Sequence, residues 1–277
     1  MLPDKIFIVP YRNREPQKKV FETVMPTLLE GHKYNILFIH QQDKRPFNRG
    51  AMKNIGFLYV KKEYPENYKN MTLIFHDIDF IAYKKDQFNY DTKPGIVKHF
   101  FGYTFTLGGI VSVNAGDFEK TNGFPNIWTW GLEDNVFQKR CIKQGFLCDR
   151  SNFLRGGADE DKLITLWHGW DRLINPTIKK KFTTTSNIDG FSIIKGLSCN
   201  KDKISENVFI VNVTSFKTGE DYRVATYDAT FKNSRYNQTF KNPTKIVKHN
   251  PISKMKSQAN KSLIPRTQNR KRFDMKF

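Results

Sequence analysis

Two carboxylates, Asp77 and Asp79, lie where the apolar run Leu73-Ile74-Phe75 ends. Side chains of a strand alternate between its two faces, so residues two apart point to the same side. Open α/β sheets bind ligands beyond the carboxyl ends of their strands, and two oxygen ligands there suit Mg²⁺ or Mn²⁺ holding a diphosphate. The alternative is a turn whose acids cap the next element. The pattern alone leaves both interpretations open.

A second acidic pair, Glu133-Asp134, follows Trp128-Thr129-Trp130-Gly131. Acids are expected in the first turn of a helix, where they complement the helix dipole and the unpaired N–H groups. Two tryptophans and a glycine make a poor cap sequence, but aromatic faces stack well on sugar rings. A carboxylate in such a water-poor pocket can act as a general base toward a hydroxyl group.

Cationic and aromatic residues follow the first two expected strands in the same way. Arg12 and Arg14 can bind a diphosphate through their guanidinium forks, and Phe47 and Arg49 precede a helix. The alternatives are a solvated basic loop and a helix start with a hydrophobic staple. His168 lies between two tryptophans, where a packed histidine is the ordinary interpretation unless the fold returns it to Asp79.

The elements that must position these residues alternate between strand and helix. Apolar runs predict strands, helical spacing of apolar residues predicts helices, and the order favours a parallel, nucleotide-binding sheet. The expected strands cover residues 5–9, 35–40, 71–76, 208–213 and 223–227, and the expected helices cover 16–30, the stretch after Gly50, and 134–144.

Charge divides the chain of 277 residues unevenly. Residues 231–277 contain 13 Lys and Arg and one acid, Asp274, out of 46 basic and 27 acidic residues in all. This composition predicts a basic, poorly ordered tail that contacts an anionic partner or only adds solubility. The predicted domains are therefore a catalytic domain at 1–230 and a tail at 231–277.

The remaining composition restricts the class of protein. No window approaches 18 uncharged apolar residues, so we expect no transmembrane segment, and residues 1–15 lack the features of a signal peptide. The three cysteines, Cys141, Cys148 and Cys199, form no metal pattern and are expected to be free thiols. Together these features predict a cytoplasmic protein.

Four segments occur together in an order that resembles the β-1,4-galactosyltransferase family. They are IVPYRNRE, FNRGAMKNIGF, FHDIDFI and NGFPNIWTWGLEDNVFQKR, with the pair Gly108-Gly109 before the last and His168 after it. The resemblance runs from about residue 5 to 175 and more loosely to about 230. It implies an α/β fold of GT-A type, with a mainly parallel central sheet flanked by helices, and an inverting UDP-sugar transferase.

The resemblance also implies a role for each matching residue. Asp134 would be the general base, and Glu133 would bind sugar hydroxyls beside it. Asp79 and His168 would hold Mn²⁺, with Mg²⁺ as the alternative. Residues implied in donor or nucleotide binding are Pro10, Arg12, Arg14, Phe47, Arg49, Asp77, Ile78, Gly109 and Trp130.

This chain departs from the family pattern at several positions. Thr165 and Leu166 replace residues that include a further metal ligand in relatives, which predicts weaker metal binding or a preference for Mg²⁺. Asn135 replaces a third acid. Thr106 aligns where many relatives have a tyrosine that narrows the galactose pocket, so the smaller side chain would admit N-acetylgalactosamine.

The sequence therefore predicts a metal-dependent inverting transferase that moves galactose or N-acetylgalactosamine from a UDP-sugar to a hydroxyl of a glycan, protein or lipid-linked acceptor. Two alternatives belong to other classes. One is a sugar-binding pseudoenzyme that has lost a metal ligand. The other is a protein that associates with nucleic acid or an anionic surface through the basic tail, although no nucleic-acid-binding signature occurs in the body of the chain.

Overall fold

The structure is a computed structural model that describes residues 2–167 and 188–219 and the backbone of the short segments 232–233 and 238–239. These residues belong to one compact unit, Met1–Phe240. The helices are α1 (Glu15–Leu28), α2 (Arg49–Glu63), α3 (Ala115–Lys120) and α4 (Glu133–Lys143). The strands are β1 (Lys5–Tyr11), β2 (Tyr34–Gln41), β3 (Thr72–His76), β4 (Phe80–Ala82), β5 (Ile96–Gly102), β6 (Ile110–Asn114), β7 (Leu147–Asp149), β8 (Leu154–Arg155), β9 (Leu163–Thr165), β10 (Lys195–Ser205), β11 (Val208–Lys217), β12 (Lys232–Asn233) and β13 (Gln238–Thr239).

One large sheet organises this unit, with the strand order β10-β11-β2-β1-β3-β6-β5-β7 and β8 paired to β5. Strands β11, β2, β1 and β3 run parallel to one another. Strand β6 joins β3 and β5 antiparallel, and β10 joins β11 antiparallel. The sheet is therefore mixed but mostly parallel, as the sequence predicted.

The central strand β1 shows why the sheet forms. All seven of its residues are buried, as expected for a parallel strand covered on both faces. Ile6 and Ile8 pack into one apolar cluster with residues of α2, α3 and α4. Phe7 and Val9 point the other way, into a second cluster with residues of α1. The period of two therefore divides the core into two layers.

Helix α2 lies close against the sheet because of one glycine. A Cβ atom on Gly56 would lie 2.5 Å from Ile8 Cγ2 and 3.2 Å from Ile39 Cγ1. Such distances leave no room for a side chain, so the helix can approach β1 and β2 only with glycine at this position. This close packing determines where the first turn of α2 meets the carboxyl ends of the strands.

The expected strands at 5–9, 35–40 and 71–76 and the expected helices at 16–30 and 134–144 are observed with boundaries that agree to within two residues. Strands β4 to β9, β12 and β13 and helix α3 were not predicted. Strand β10 was not predicted, because its sequence KGLSCNKDKIS is polar and largely exposed and carries no apolar run. The expected strand at 223–227 lies outside the described residues. The predicted strand at 208–213 is observed as the longer β11.

Among the described residues, no helix is long and apolar enough to span a membrane. The three cysteines are free thiols, as expected. Burial raises the pKa of the Cys141 thiol, which packs inside the core.

Candidate active site

The strand-end acidic pair lies where the sequence predicted. Asp77 follows the last residue of β3, and its backbone N–H donates a 2.9 Å hydrogen bond to the carbonyl oxygen of Gly109. Its carboxylate accepts a hydrogen bond from the guanidinium of Arg49. Between the two acids, Ile78 is only 7% exposed and packs into the α1-side cluster. The side chain of Ile78 is therefore mostly turned into the core, and its predicted role in donor binding stays a prediction.

Arg49 joins the two acidic pairs. It opens α2, whose N-cap Asn48 accepts a 2.9 Å hydrogen bond from the Ala51 N–H. Besides its bond to Asp77, its Nε lies 3.6 Å from Glu133 Oε1. Burial alone would lower the pKa of the Arg49 guanidinium, but surrounding carboxylates outweigh it and raise that pKa. Arg49 therefore stays charged at the centre of the site.

The helix-start pair is held by a different cation. The side chain of Glu133 is buried, and burial together with the neighbouring Asp134 raises the pKa of the Glu133 carboxyl. Asp134 is more accessible, with 17% of its side chain exposed, and its Oδ1 lies 2.5 Å from Lys53 Nζ. Burial also raises the pKa of Asp77, and Arg49 opposes that rise only in part.

The chain returns to Asp79 just before His168. Strands β4 and β9 pair antiparallel, with Phe80 opposite Thr165. The backbone N–H of Leu166 donates a 2.8 Å hydrogen bond to the carbonyl oxygen of Asp79. His168 itself lies outside the described residues, so its predicted role as a metal ligand stays a prediction.

The glycine pair connects the two acidic pairs. Gly109 has φ +79°, and a Cβ on it would lie 2.3 Å from the Phe101 carbonyl oxygen. A Cβ on Gly108 would lie 2.4 Å from Asp134 Oδ2. Glycine is required at 109, where the clash is with backbone, whereas at 108 the carboxylate of Asp134 would have to move. This segment thereby contacts both Asp77, through the Gly109 carbonyl, and Asp134.

The turn before α4 separates the two tryptophans. Trp130 is 46% exposed, whereas Trp128 is 1% exposed and stacks on Phe216 at 5.5 Å. Gly131 and Leu132 both adopt positive φ, at +90° and +75°. The expectation that both tryptophans form a sugar platform is therefore wrong for Trp128, which is a core residue, and stands only for Trp130.

The loops after β1 and β2 form an open depression of about 510 Å³. Arg12, His40 and Lys44 contribute to its lining, and the Arg12 guanidinium donates to the Arg45 carbonyl oxygen. The other predicted donor-binding residues of these loops lie nearby in the chain. Pro10 is buried in β1, and Phe47 packs against the apolar cluster that contains α2. Arg14 precedes α1 and donates to the Asn13 carbonyl at 2.9 Å.

Three residues of the site were missed by the sequence analysis: Lys53, His99 and Arg150. His99 Nε2 donates to the carbonyl oxygens of Gly108 (2.9 Å) and Phe101 (3.0 Å), while its Nδ1 accepts from Arg150 Nε at 3.1 Å. Burial lowers the pKa of His99 to about 4, so the ring is neutral and holds the glycine pair. One signal for Lys53 was available in the sequence: it lies four residues after Arg49 and therefore on the same face of the helix.

The carboxylate oxygens of the described residues fit a divalent cation whose remaining ligands come from water and substrate. Among the residues that the structure describes, no group of three or more His, Cys, Asp or Glu is placed to hold a metal. The local charges nevertheless favour a cation, because carboxyl groups outnumber the cationic side chains there. Metals of this kind commonly keep waters and substrate phosphates as ligands. The groups concerned are Asp77, Asp79, Glu133 and Asp134 against Arg49 and Lys53.

Comparison with known proteins matches two family models to this chain. The N-terminal region of glycosyl transferase group 7 matches residues 4–92, and the N-terminal domain of galactosyltransferase matches residues 97–160. Together they cover just over half of the 277 residues. The chain belongs to the β-1,4-galactosyltransferase family. The resemblance predicted from the four sequence segments is thereby confirmed.

Individual members of the family show how far the likeness extends. Human beta-1,4-galactosyltransferase 4 is 32% identical over 227 residues, which are 75% of this chain and 61% of that protein. Mouse beta-1,4-galactosyltransferase 5 is 29% identical over 154 residues, which are 52% of this chain and 39% of that protein. The chain thus spans between about two fifths and three fifths of the length of these curated relatives.

Solved structures confirm the fold. The catalytic domain of Drosophila β1,4-galactosyltransferase 7, in complex with xylobiose, aligns with a TM-score of 0.65 at 21% identity, over 80% of this chain and 97% of that one. A mutant of the same enzyme in complex with manganese, UDP-Gal and xylobiose aligns with a TM-score of 0.63. The predicted GT-A fold, with its mostly parallel central sheet, is confirmed.

Proposed function

We propose that this chain is a metal-dependent, inverting glycosyltransferase that moves galactose from UDP-galactose to an acceptor hydroxyl. The observation that carries the proposal is the meeting of two acidic pairs, one after β3 and one opening α4, with Arg49 bonded to Asp77 and 3.6 Å from Glu133. Membership of the galactosyltransferase family supports the same reaction class.

Inversion requires a single displacement at the anomeric carbon. Asp134 accepts the proton of the acceptor hydroxyl while that oxygen forms the new bond to the sugar, and the bond to the UDP oxygen breaks on the opposite face. General-base assistance of this kind typically contributes about 10²- to 10⁴-fold to the rate. Asp134 suits this role better than Glu133, because 17% of its side chain is exposed against 5% for Glu133.

Asp79 and His168 would hold Mn²⁺, or alternatively Mg²⁺, beside the donor diphosphate. The ion would neutralise charge on the leaving UDP. The excess of carboxyl groups around Arg49 supports a cation there. The manganese and UDP-Gal bound to the Drosophila relative provide independent support.

The donor nucleotide would occupy the carboxyl edge of β1 and β2. The depression lined by Arg12 and His40 is open and polar, as a uridine diphosphate site requires, and Arg49 carries a permanent charge toward the same edge. Trp130, exposed on the turn before α4, would cover the sugars.

The choice of donor sugar depends on the wall formed by Thr106 and the glycine pair. Thr106 Oγ1 accepts a 3.2 Å hydrogen bond from the Gly108 N–H, so its small side chain is turned toward the glycines. A small side chain in this wall would admit the N-acetyl group of N-acetylgalactosamine, which makes that sugar the second proposed donor. A glycan acceptor is favoured by the xylobiose bound to the Drosophila relative, with protein or lipid-linked acceptors as the other classes.

The test is release of UDP from a panel of UDP-sugars, with Mn²⁺, Mg²⁺ or EDTA and a set of simple sugar acceptors. We expect metal-dependent release with UDP-galactose, and the ratio of UDP-galactose to UDP-N-acetylgalactosamine turnover measures the effect of Thr106. UDP binding without any turnover would instead indicate the sugar-binding pseudoenzyme. A chain that does not bind UDP would refute the proposal.

The basic tail at 231–277 stays a prediction, since nearly all of it lies outside the described residues. Deleting it should remove any salt-sensitive binding to nucleic acid or anionic vesicles and leave UDP-sugar turnover intact. Loss of turnover on deletion would contradict the predicted boundary near residue 230.

A further inference from the structure

Lys53 is a buried cation of the site to which neither the motifs nor the family resemblance gave a role. It lies one helical turn after Arg49 on α2, so both side chains leave the same face of the helix. Its side chain is 2% exposed. Lysine is almost never buried so completely unless it is paired. Its Nζ lies 2.5 Å from Asp134 Oδ1 and 4.4 Å from the centroid of the Phe124 ring.

The backbone around Lys53 is fixed to the segment that leads into the site. The adjacent residue, Asn54, donates to the Phe124 carbonyl at 2.7 Å and accepts from the Phe124 N–H at 2.9 Å. A Cβ on Gly50 would lie 2.0 Å from the Pro125 carbonyl oxygen, so the first turn of α2 presses directly on this segment. The ammonium group of Lys53 therefore starts from a rigid support.

The two oxygens of Asp134 have different surroundings. Oδ1 is bound to Lys53, whereas Oδ2 lies beside Gly108. The backbone adds a further link, because the Leu107 N–H donates to the Asp134 carbonyl at 3.3 Å. A general base must present one oxygen to the reacting hydroxyl, and its efficiency depends on how well that oxygen is oriented.

We propose that Lys53 is a positioning residue for the general base: it binds Oδ1 of Asp134 and thereby keeps Oδ2 turned toward the acceptor hydroxyl beside Gly108. This inference rests on the proposed function. Lys53 also offsets the repulsion between Asp134 and the buried Glu133, since its charge acts on the Glu133 carboxyl as well. Arg49 binds Asp77 and also lies 3.6 Å from Glu133, so the two cations of α2 together balance the two acidic pairs.

The test compares Lys53→Met with Lys53→Arg in the acceptor-dependent assay. Methionine fills a similar volume without charge or donor, so kcat should fall about 10- to 100-fold, the loss typical of a misplaced reacting group. KM for the UDP-sugar and Kd for UDP should change by less than about 2-fold, because Lys53 contacts the base and not the strand-end pair. Lys53→Arg keeps a buried charged donor and should recover part of kcat.

Two further variants separate positioning from general damage. Lys61 lies on the same helix as Lys53, its side chain is 43% exposed, and it forms an ion pair with Glu119. Lys61→Met removes this pair far from the base and should leave kcat unchanged. If Lys53→Met does not fold, Lys53→Gln replaces it, with the same expected loss in kcat and the same constant KM.

Unchanged kcat in Lys53→Met, or equal losses of kcat and UDP affinity with no recovery in Lys53→Arg, would overturn the positioning role while leaving the proposed function standing. A wild-type chain without UDP-sugar turnover would overturn the proposed function and this inference with it. A fall in kcat alone, reversed in part by arginine, supports it.

Discussion

The two acidic pairs of the site are built on different kinds of support. Asp77 and Asp79 follow a buried strand in the middle of the sheet, and hydrogen bonds to Gly109 and from Leu166 hold their backbone. Glu133 and Asp134 follow a turn in which Gly131 and Leu132 both have positive φ. The backbone of the strand-end pair is held by the sheet itself, and Arg49 binds the carboxylate of Asp77. The helix-start pair depends on a strained turn and on the cations of α2.

This difference suits the roles proposed for the two pairs. A pair that holds a metal and a diphosphate benefits from rigid support, because ligand geometry must be kept throughout the reaction. A pair that meets a changing acceptor lies beside a turn of greater conformational cost, where non-glycine residues at positive φ are uncommon. The comparison predicts separable effects on catalysis and on metal-dependent binding.

Asp134→Asn tests the helix-start pair and should have the largest effect. The amide keeps the shape and the oxygen that Lys53 binds but cannot accept a proton from the acceptor, so transfer should fall about 10²- to 10⁴-fold. UDP affinity, measured by calorimetry, should stay near the wild-type value. Asp161→Asn, at an exposed acid in a short turn, is the matched control. Equal losses of transfer and UDP binding would contradict the assignment of the base.

Asp79→Ala tests the strand-end pair. Removing a carboxylate that holds the metal should weaken metal-dependent UDP binding by at least about 10- to 100-fold, the loss typical even of residues that only support a ligand. UDP binding in EDTA should be unchanged, which provides the internal control. We expect the variant to bind UDP with the same affinity in the presence and absence of Mn²⁺. If Mn²⁺ still raised its UDP affinity, the metal would lie elsewhere.

Gly109→Ala tests the segment that joins the two pairs. Both Gly109 and Gly131 have positive φ, but only Gly109 would place a Cβ against backbone, 2.3 Å from the Phe101 carbonyl oxygen, whereas Gly131 has nothing within 4 Å. Gly109→Ala should therefore lower the free energy of unfolding by about 2 kcal/mol more than Gly131→Ala does. Urea unfolding of the two variants measures the difference, and equal losses would mean that the segment relaxes.

The smallest expected effect is a pH dependence of stability. Burial lowers the pKa of both His99 and His76 to about 4, below the value of about 6.5 in an unfolded chain. The unfolded state therefore takes up protons first as the pH falls. Stability is fully present above about pH 6.5 and decreases toward pH 4, by roughly 0.7 kcal/mol per histidine between pH 7 and pH 6.

Urea unfolding at pH 7, 6 and 5 measures this slope. His99→Asn should flatten it by the share of one histidine, because the amide can still donate to the Gly108 carbonyl but does not titrate. A wild-type slope retained in His99→Asn would show that His99 does not titrate as proposed.

Much of the positioning could be predicted because it follows from local rules. A buried strand followed by Asp77 and Asp79 requires only the period of two and the edge of a parallel sheet. The separate roles of Trp128 and Trp130 could not be predicted in this way. Both are aromatic residues before an acidic helix, and only the packing of Trp128 on Phe216, more than eighty residues later, assigns it to the core.

The sequence by itself determined the order of the first three strands and two helices, the four segments that identify the family, and the acids after β3 and at the start of α4. Tertiary structure decided which cation pairs with which acid, because Arg49 and Lys53 reach Asp77 and Asp134 only after α2 packs on β1 through Gly56. It also decided that His99 holds the glycine pair. Such contacts join residues far apart in the chain, and their distances depend on how the layers pack rather than on any local pattern.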